Sequence, residues 1–206
     1  MLLPRLTAVG SLAASSLVLA SAQSTPSLTD VLSTHPNLTS LQTLLKTKVP
    51  SLLKELEAYT SSDPITLLAP SNSAFDDAAN NDIIGPTISS SDVGALTNLM
   101  LYHVIPGQFT SQTLNGTFQF PPTLLVSNNL TNVTGGQRIG AVLQGGQPPE
   151  VVFVSGESSR SVVTVADIAF TGGCVLLVPA HLAKKLTHTT ALSTLLMLLP
   201  SRPYPS

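Results

Sequence analysis

The chain changes periodicity near its middle, and that change limits its possible folds more than any other feature. In the first half, apolar residues recur at helical spacing. Leu38, Leu41, Leu44 and Leu45 share one face. Pro50 interrupts the pattern, and Leu52, Leu53, Leu56 and Tyr59 resume it in a second helix. Asp63-Pro64 marks a turn, after which Ile65 to Ala69 form a short apolar run that fits a buried strand. Pro70-Ser71-Asn72-Ser73 stops that strand and offers capping oxygens to a helix through Ala74, Phe75, Ala78 and Ala79. A further helix is predicted from Ser90-Ser91-Asp92, with Val93, Leu96, Leu99, Met100 and His103 on its inner face. The second half instead holds short strand candidates at 123–127, 137–143, 151–154, 161–166 and 175–178. Gly135-Gly136, Gly145-Gly146, Pro148-Pro149 and Gly172-Gly173 punctuate them. Helices first and strands later imply an α+β domain with antiparallel sheet packing, not a doubly wound sheet. No repeat of 20 to 50 residues is present, so the reading is one domain.

Composition excludes several function classes. Charged residues make up only 10% of the chain, and the net charge is −2. A nucleic-acid partner would call for a basic face, so it is set aside. Polarity comes from hydroxyls: Ser and Thr together number 48. The single cysteine, Cys174, rules out an internal disulfide framework and a cysteine-rich metal site.

The first 22 residues read as a secretory signal peptide. Arg5 is its positive start, an apolar stretch follows, and Ala20-Ser21-Ala22 gives a small-residue cleavage pattern ahead of Gln23. An uncleaved membrane anchor is the alternative. Asn37, Asn115, Asn129 and Asn132 each begin an N-glycosylation triplet, which fits passage through the secretory pathway. Glycans would supply solubility that so few charges cannot. The apolar run from Ala191 to Leu199 is too short to cross a bilayer, so no C-terminal anchor is assigned and membrane attachment stays open.

Three segments together resemble the fasciclin (FAS1) domain, in its secreted fungal form. The first runs from Ile65 to Phe75 and looks like the family's first homology block, with Thr66, Ala69, Pro70, Ser71, Asn72 and Phe75 as its marked positions. The second, Leu101-Tyr102-His103-Val104-Ile105-Pro106-Gly107, is similar to the family's Tyr-His motif. The third, Val163 to Ile168 followed by Gly172-Gly173, looks like the approach to the second homology block. The resemblance implies a β-sandwich or wedge of about seven strands with several packed helices. It spans residues 24–178, between the signal peptide (1–22) and a divergent tail (179–206).

That tail departs from the family pattern. After Gly173 the expected His and acid are missing, and no Asp or Glu follows Asp167. A mispredicted final exon or a different reading frame is the expected cause, with a genuinely divergent tail as the alternative. A spliced message encoding Cys174 to Ser206 would rule out the frame shift. A real tail would leave the domain short of its last strand partner, with an open edge.

The resemblance implies adhesion, or matrix and cell-wall interaction, by a secreted glycoprotein at the cell surface or in the wall. Its partner would be a surface or matrix protein, a glycan or a second copy. Tyr102 and His103 read either as a contact site or as a buried, hydrogen-bonded junction between the two blocks. Phe118, Phe120, Pro121 and Pro122 read either as an exposed apolar patch or as core and hairpin residues. No catalytic constellation stands out. The histidines lie at 35, 103, 181 and 188, and no Gly-x-Ser-x-Gly occurs. Asp76, Asp77 and Asp82 read as a solvated acidic face, not as a metal site, and no cofactor is implied. A module binding a small apolar ligand or a glycan is the second reading, and a hydrolase the third.

Overall fold

The computed structural model describes residues 25–80, 85–126, 136–155 and 160–179. The segment read as a signal peptide, Asp82, Asn129, Asn132, His181, His188 and the tail beyond Pro179 lie outside the described residues.

Four helices lead into the first strand or follow it directly. Helix α1 (Leu28–Thr34) was not among the helices read above, although Ser27-x-x-Asp30 carries its signal. Ser27 Oγ accepts from the Asp30 amide at 3.1 Å, and the Asp30 carboxylate accepts from the Ser27 amide at 3.2 Å. A turn at Pro36–Leu38 leads into α2 (Thr39–Thr47), and α3 (Pro50–Glu57) begins at the proline that interrupts the apolar pattern. Strand β1 (Ile65–Pro70) follows, then α4 (Asn72–Ala79), capped by Ser71. Short α5 (Gly85–Ser89) and longer α6 (Val93–Tyr102) complete the helices. Asp92 caps α6 by accepting from the Ala95 amide at 3.0 Å.

Among the described residues, seven strands form two sheets. The first sheet has the order β2 (Val104–Pro106), β1, β7 (Gly173–Val178), β6 (Val165–Phe170). The second has β3 (Gly140–Gln144), β4 (Glu150–Val154), β5 (Arg160–Val162). The first sheet is a middle layer. Ile65, Leu67 and Ala69 of β1, with Val175 and Leu177 of β7, pack against Leu32, Leu41, Leu45 and Leu56 of the helices. Alternate residues, Leu68, Leu176 and Val178, pack on the other side with Ala141, Val151 and Phe153 of the second sheet. Both faces of β1 and β7 are therefore buried, which is why their sequences are near-continuous apolar runs, broken in β1 by Thr66, rather than alternations.

Three expectations are corrected. The first sheet is mixed, because β1 and β7 are parallel along all six residues from Ile65↔Gly173 to Pro70↔Val178. A chain that returns to β1 after a long excursion need not reverse direction. Second, the segment after Gly173 leaves no gap in the sheet: β7 lies between β1 and β6 and is paired on both sides. The edge strand on this side of the sheet is β6, blunted by an irregular register between Val165 and Ile168 and by Asp167 at φ 60°. Third, the strand expected at 161–166 divides at a corner. Val163 N donates to Val151 O of the second sheet at 2.9 Å, and the next amide, Thr164 N, donates to Leu177 O of the first at 2.9 Å. The described part of the segment expected as a strand at 123–127 makes only a few ladder bonds: Thr123 N donates to Gln137 O at 2.7 Å, Gln137 N to Leu125 O at 3.0 Å, and Leu124 N to Val104 O at 2.8 Å.

Gly173 is required where β7 meets β1. It has φ 147°, and a Cβ there would sit 1.8 Å from Ile65 O.

Candidate functional site

The residues of the first block act on the scaffold. Ser71 Oγ accepts from the Ala74 amide at 3.2 Å and starts α4. Asn72 reaches across to α2. Its Nδ2 donates to Pro36 O at 2.8 Å and Thr39 Oγ1 at 2.9 Å, and its Oδ1 accepts from the Ser40 amide at 3.0 Å. Asn72 therefore caps a helix that precedes it by some thirty residues. Phe75 is half-buried against the helical core, and Ala69 and Pro70 are buried in β1.

Thr66 joins the first block to the loop after the Tyr-His motif. Its buried hydroxyl donates to Gly107 O at 2.8 Å and accepts from the Phe109 amide at 2.8 Å. Leu68 N donates to His103 O at 2.8 Å, a second tie between the same segments. Tyr102 and His103 themselves face inward, 2% and 1% exposed. Tyr102 packs in the core between the sheets, and its ring meets the His103 ring edge to face at 6.0 Å. His103 Nδ1 lies 2.8 Å from Leu99 O. A carbonyl only accepts, so Nδ1 carries the hydrogen and Nε2 is left as a bare acceptor, buried and without a partner. Burial pushes the His103 pKa below its ordinary value, against the opposing pull of the Leu99 carbonyl.

Cys174 is also internal. Burial raises its thiol pKa, and its Sγ lies 3.5 Å from Thr66 Oγ1. Asp76 and Asp77 are exposed on α4. Among the described residues no group of three His, Cys, Asp or Glu is placed to hold a metal ion.

Two surface features remain. One is a groove of about 390 Å³ between α2, α4 and α5, lined by Thr39, Thr43, Thr47, Leu44, Phe75 and Ile88. Several of its polar groups are already engaged. Thr43 and Thr47 donate back into their own helix, and Lys48 Nζ donates to the carbonyls of Ile88, Ser89 and Ser90 at 3.1–3.3 Å. A specific ligand site would need convergent unused polar groups.

The other feature is aromatic. Phe118 and Phe120 are 49% and 60% exposed, with rings nearly parallel at 18° and centroids 6.0 Å apart. Gln119 between them pairs with Ala141 of β3 through bonds of 2.9 and 2.8 Å, so both rings project from the same face of a strand-like segment. Gly140, one residue along β3, leaves room for the Phe120 ring, and Arg138 Nη1 fixes the Phe120 carbonyl at 2.7 Å. Of the four residues read as a patch or as core, these two are exposed, whereas Pro121 is buried and Pro122 half-buried. Asn37 and Asn115 of the glycosylation triplets are exposed.

With this geometry in hand, the comparisons decide the family. The fasciclin domain family profile matches residues 36–184. The chain belongs to the fasciclin domain family. The match runs beyond residue 178, the limit set by motif reading. A fasciclin-like arabinogalactan protein of Phaeosphaeria nodorum is 36% identical over 60% of this chain and 37% of its own length. Another from Arthroderma benhamiae is 27% identical over 66% of this chain and 35% of its own. The fasciclin domain chain thus spans little more than a third of the curated relatives it matches. Among solved structures, a FAS1 domain pair from the insect cell adhesion molecule Fasciclin I has a TM-score of 0.54 at 20% identity, covering 71% of this chain and 45% of that one. That likeness bears on the fold: an α+β FAS1 architecture with two sheets and seven strands. No helix among the described residues is long and apolar enough to cross a membrane.

Proposed function

We propose that this fasciclin domain is a secreted, non-catalytic glycoprotein module for adhesion or for matrix and cell-wall interaction, and that its contact surface is the Phe118–Phe120 pair. The stacked, half-exposed rings, the aromatic members of the exposed large apolar side chains among the described residues, carry this reading. The Tyr102–His103 motif supports them from inside, by tying down the segment that leads to them. The relatives' description as fasciclin-like arabinogalactan proteins supports a place in or near the cell wall. The adhesion role itself rests on family analogy.

A magnitude shows what such a surface could do. Covering the exposed half of two phenyl rings removes on the order of 200 Å² of apolar surface per copy, roughly 5 kcal/mol. Two copies meeting ring pair to ring pair would gain about 10 kcal/mol, comparable to the 4–15 kcal/mol cost of association. A single contact is therefore weak, and many copies on one surface make it effective. Beads coated with the folded domain, freed of its N-glycans, should aggregate, or attach to cell-wall material, in proportion to coating density. Absence of attachment at any density would overturn the proposal.

A further inference from the structure

Asn115 lies beside the aromatic pair by more than sequence. Leu143 N donates to Asn115 O at 2.9 Å, while Gln119 pairs with Ala141. Asn115 and Gln119 are thus pinned to β3 positions two residues apart, about 7 Å along the strand, where four extended residues would span about 13 Å. The segment between them is folded back on itself, and Asn115 is held close to Phe118. Its side chain is also set: Oδ1 accepts from the Thr117 amide at 2.9 Å, which leaves Nδ2 as the atom that carries a sugar. Asn115, Gly116 and Thr117 are all exposed, and the space where a Gly116 Cβ would stand is empty to 4 Å. Asn37, the other described triplet, has no exposed large apolar side chain near it in sequence.

We propose that the first N-acetylglucosamine of a glycan on Asn115 lies against the Phe118–Phe120 rings, so that occupancy of Asn115 decides whether the ring pair is available for contact. The availability half rests on the contact surface proposed above; the packing half does not. In the transfer, Asn115 Nδ2 loses a proton and bonds to C1 of the sugar, whose bond to a lipid diphosphate breaks with its electron pair leaving on the phosphate oxygen. The sugar's apolar C–H face and its acetyl methyl suit two parallel rings. Among the described residues the ring pair stays about half exposed.

The test uses the full chain, secreted from a eukaryotic host, with Asn37→Gln, Asn129→Gln and Asn132→Gln so that only Asn115 remains. Glycopeptide mass spectrometry should find Asn115 occupied. After trimming to one N-acetylglucosamine, the acetyl methyl proton should resonate upfield of its position in the proteolysed glycopeptide. The shift should vanish in Phe118→Ser/Phe120→Ser. Thr117→Ala, which abolishes the glycan but keeps the turn, should raise bead aggregation several-fold. An unmodified Asn115, a methyl at the peptide position, or aggregation unchanged by Thr117→Ala would each overturn the proposal. If the Phe variant of the Thr117→Ala chain aggregates as well as its parent, the contact surface falls instead, while the methyl shift still reports the packing.

Discussion

Acid should destabilise this domain through His103, and the size of the effect follows from its surroundings. The imidazole is buried, donates from Nδ1 to Leu99 O, and holds Nε2 with no partner. Protonation would place a second N–H, and a charge, where nothing accepts it. Burial sets the folded-state pKa below the ordinary 6.5, so the unfolded chain takes up the proton first. Stability is then complete above 6.5 and declines as pH falls through that value, until the folded group itself titrates. The slope is at most about 1.4 kcal/mol per pH unit, so moving from pH 7.5 to 5 costs up to about 2 kcal/mol. Asn at this position keeps a donor for Leu99 and cannot be protonated. Urea midpoints at pH 7.5, 6 and 5 should fall in the parent chain and fall less in His103→Asn, although the variant is weaker at pH 7.5. Equal pH dependence in the two proteins would refute the reasoning.

Other positions give sharper structural tests. Thr66→Val should cost about 1–3 kcal/mol and speed hydrogen exchange at the Phe109 amide, because the shared hydroxyl is lost from a buried site. Asn72→Ala should cost about 0.5–2 kcal/mol in chemical denaturation and expose the Ser40 amide to exchange. Gly173→Ala should cost more than about 4 kcal/mol or yield insoluble chain, since its Cβ would overlap Ile65 O. Soluble Gly173→Ala protein with an unchanged melting temperature would contradict the described β1–β7 junction.

Local rules carried the first half of the fold well. Leu41, Leu44 and Leu45 were readable as the buried face of one helix and Leu52 and Leu56 as that of a second, Ser71 as a capping oxygen and Ser90-Ser91-Asp92 as a helix start, because each depends on neighbours within a few residues. Helix α1 was missed although its capping box is local. The parallel pairing of β1 with β7 was not readable, because apolar runs buried on both faces carry no direction. The corner between Val163 and Thr164 was hidden for a related reason: one continuous extended run serves two sheets. At the candidate site, Phe118 and Phe120 were visible as alternate apolar residues beside prolines, a pattern shared by exposed and buried strands. Only the pairing of Gln119 with Ala141 settles which way they face. The reach of Asn72 across to α2 had no sequence signal, since its partners are defined by packing rather than by spacing.

The central claim is that contact is made by Phe118 and Phe120, with Tyr102 and His103 holding the scaffold. Bead aggregation with two variants, each checked for folding, tests it most directly. With N-glycans removed from every sample, Phe118→Ser/Phe120→Ser should remain folded at the assay temperature and lose aggregation. His103→Asn should melt lower yet aggregate like the parent at temperatures where it is folded. The opposite pattern, with aggregation kept by the first variant and lost by a folded second, would contradict the claim.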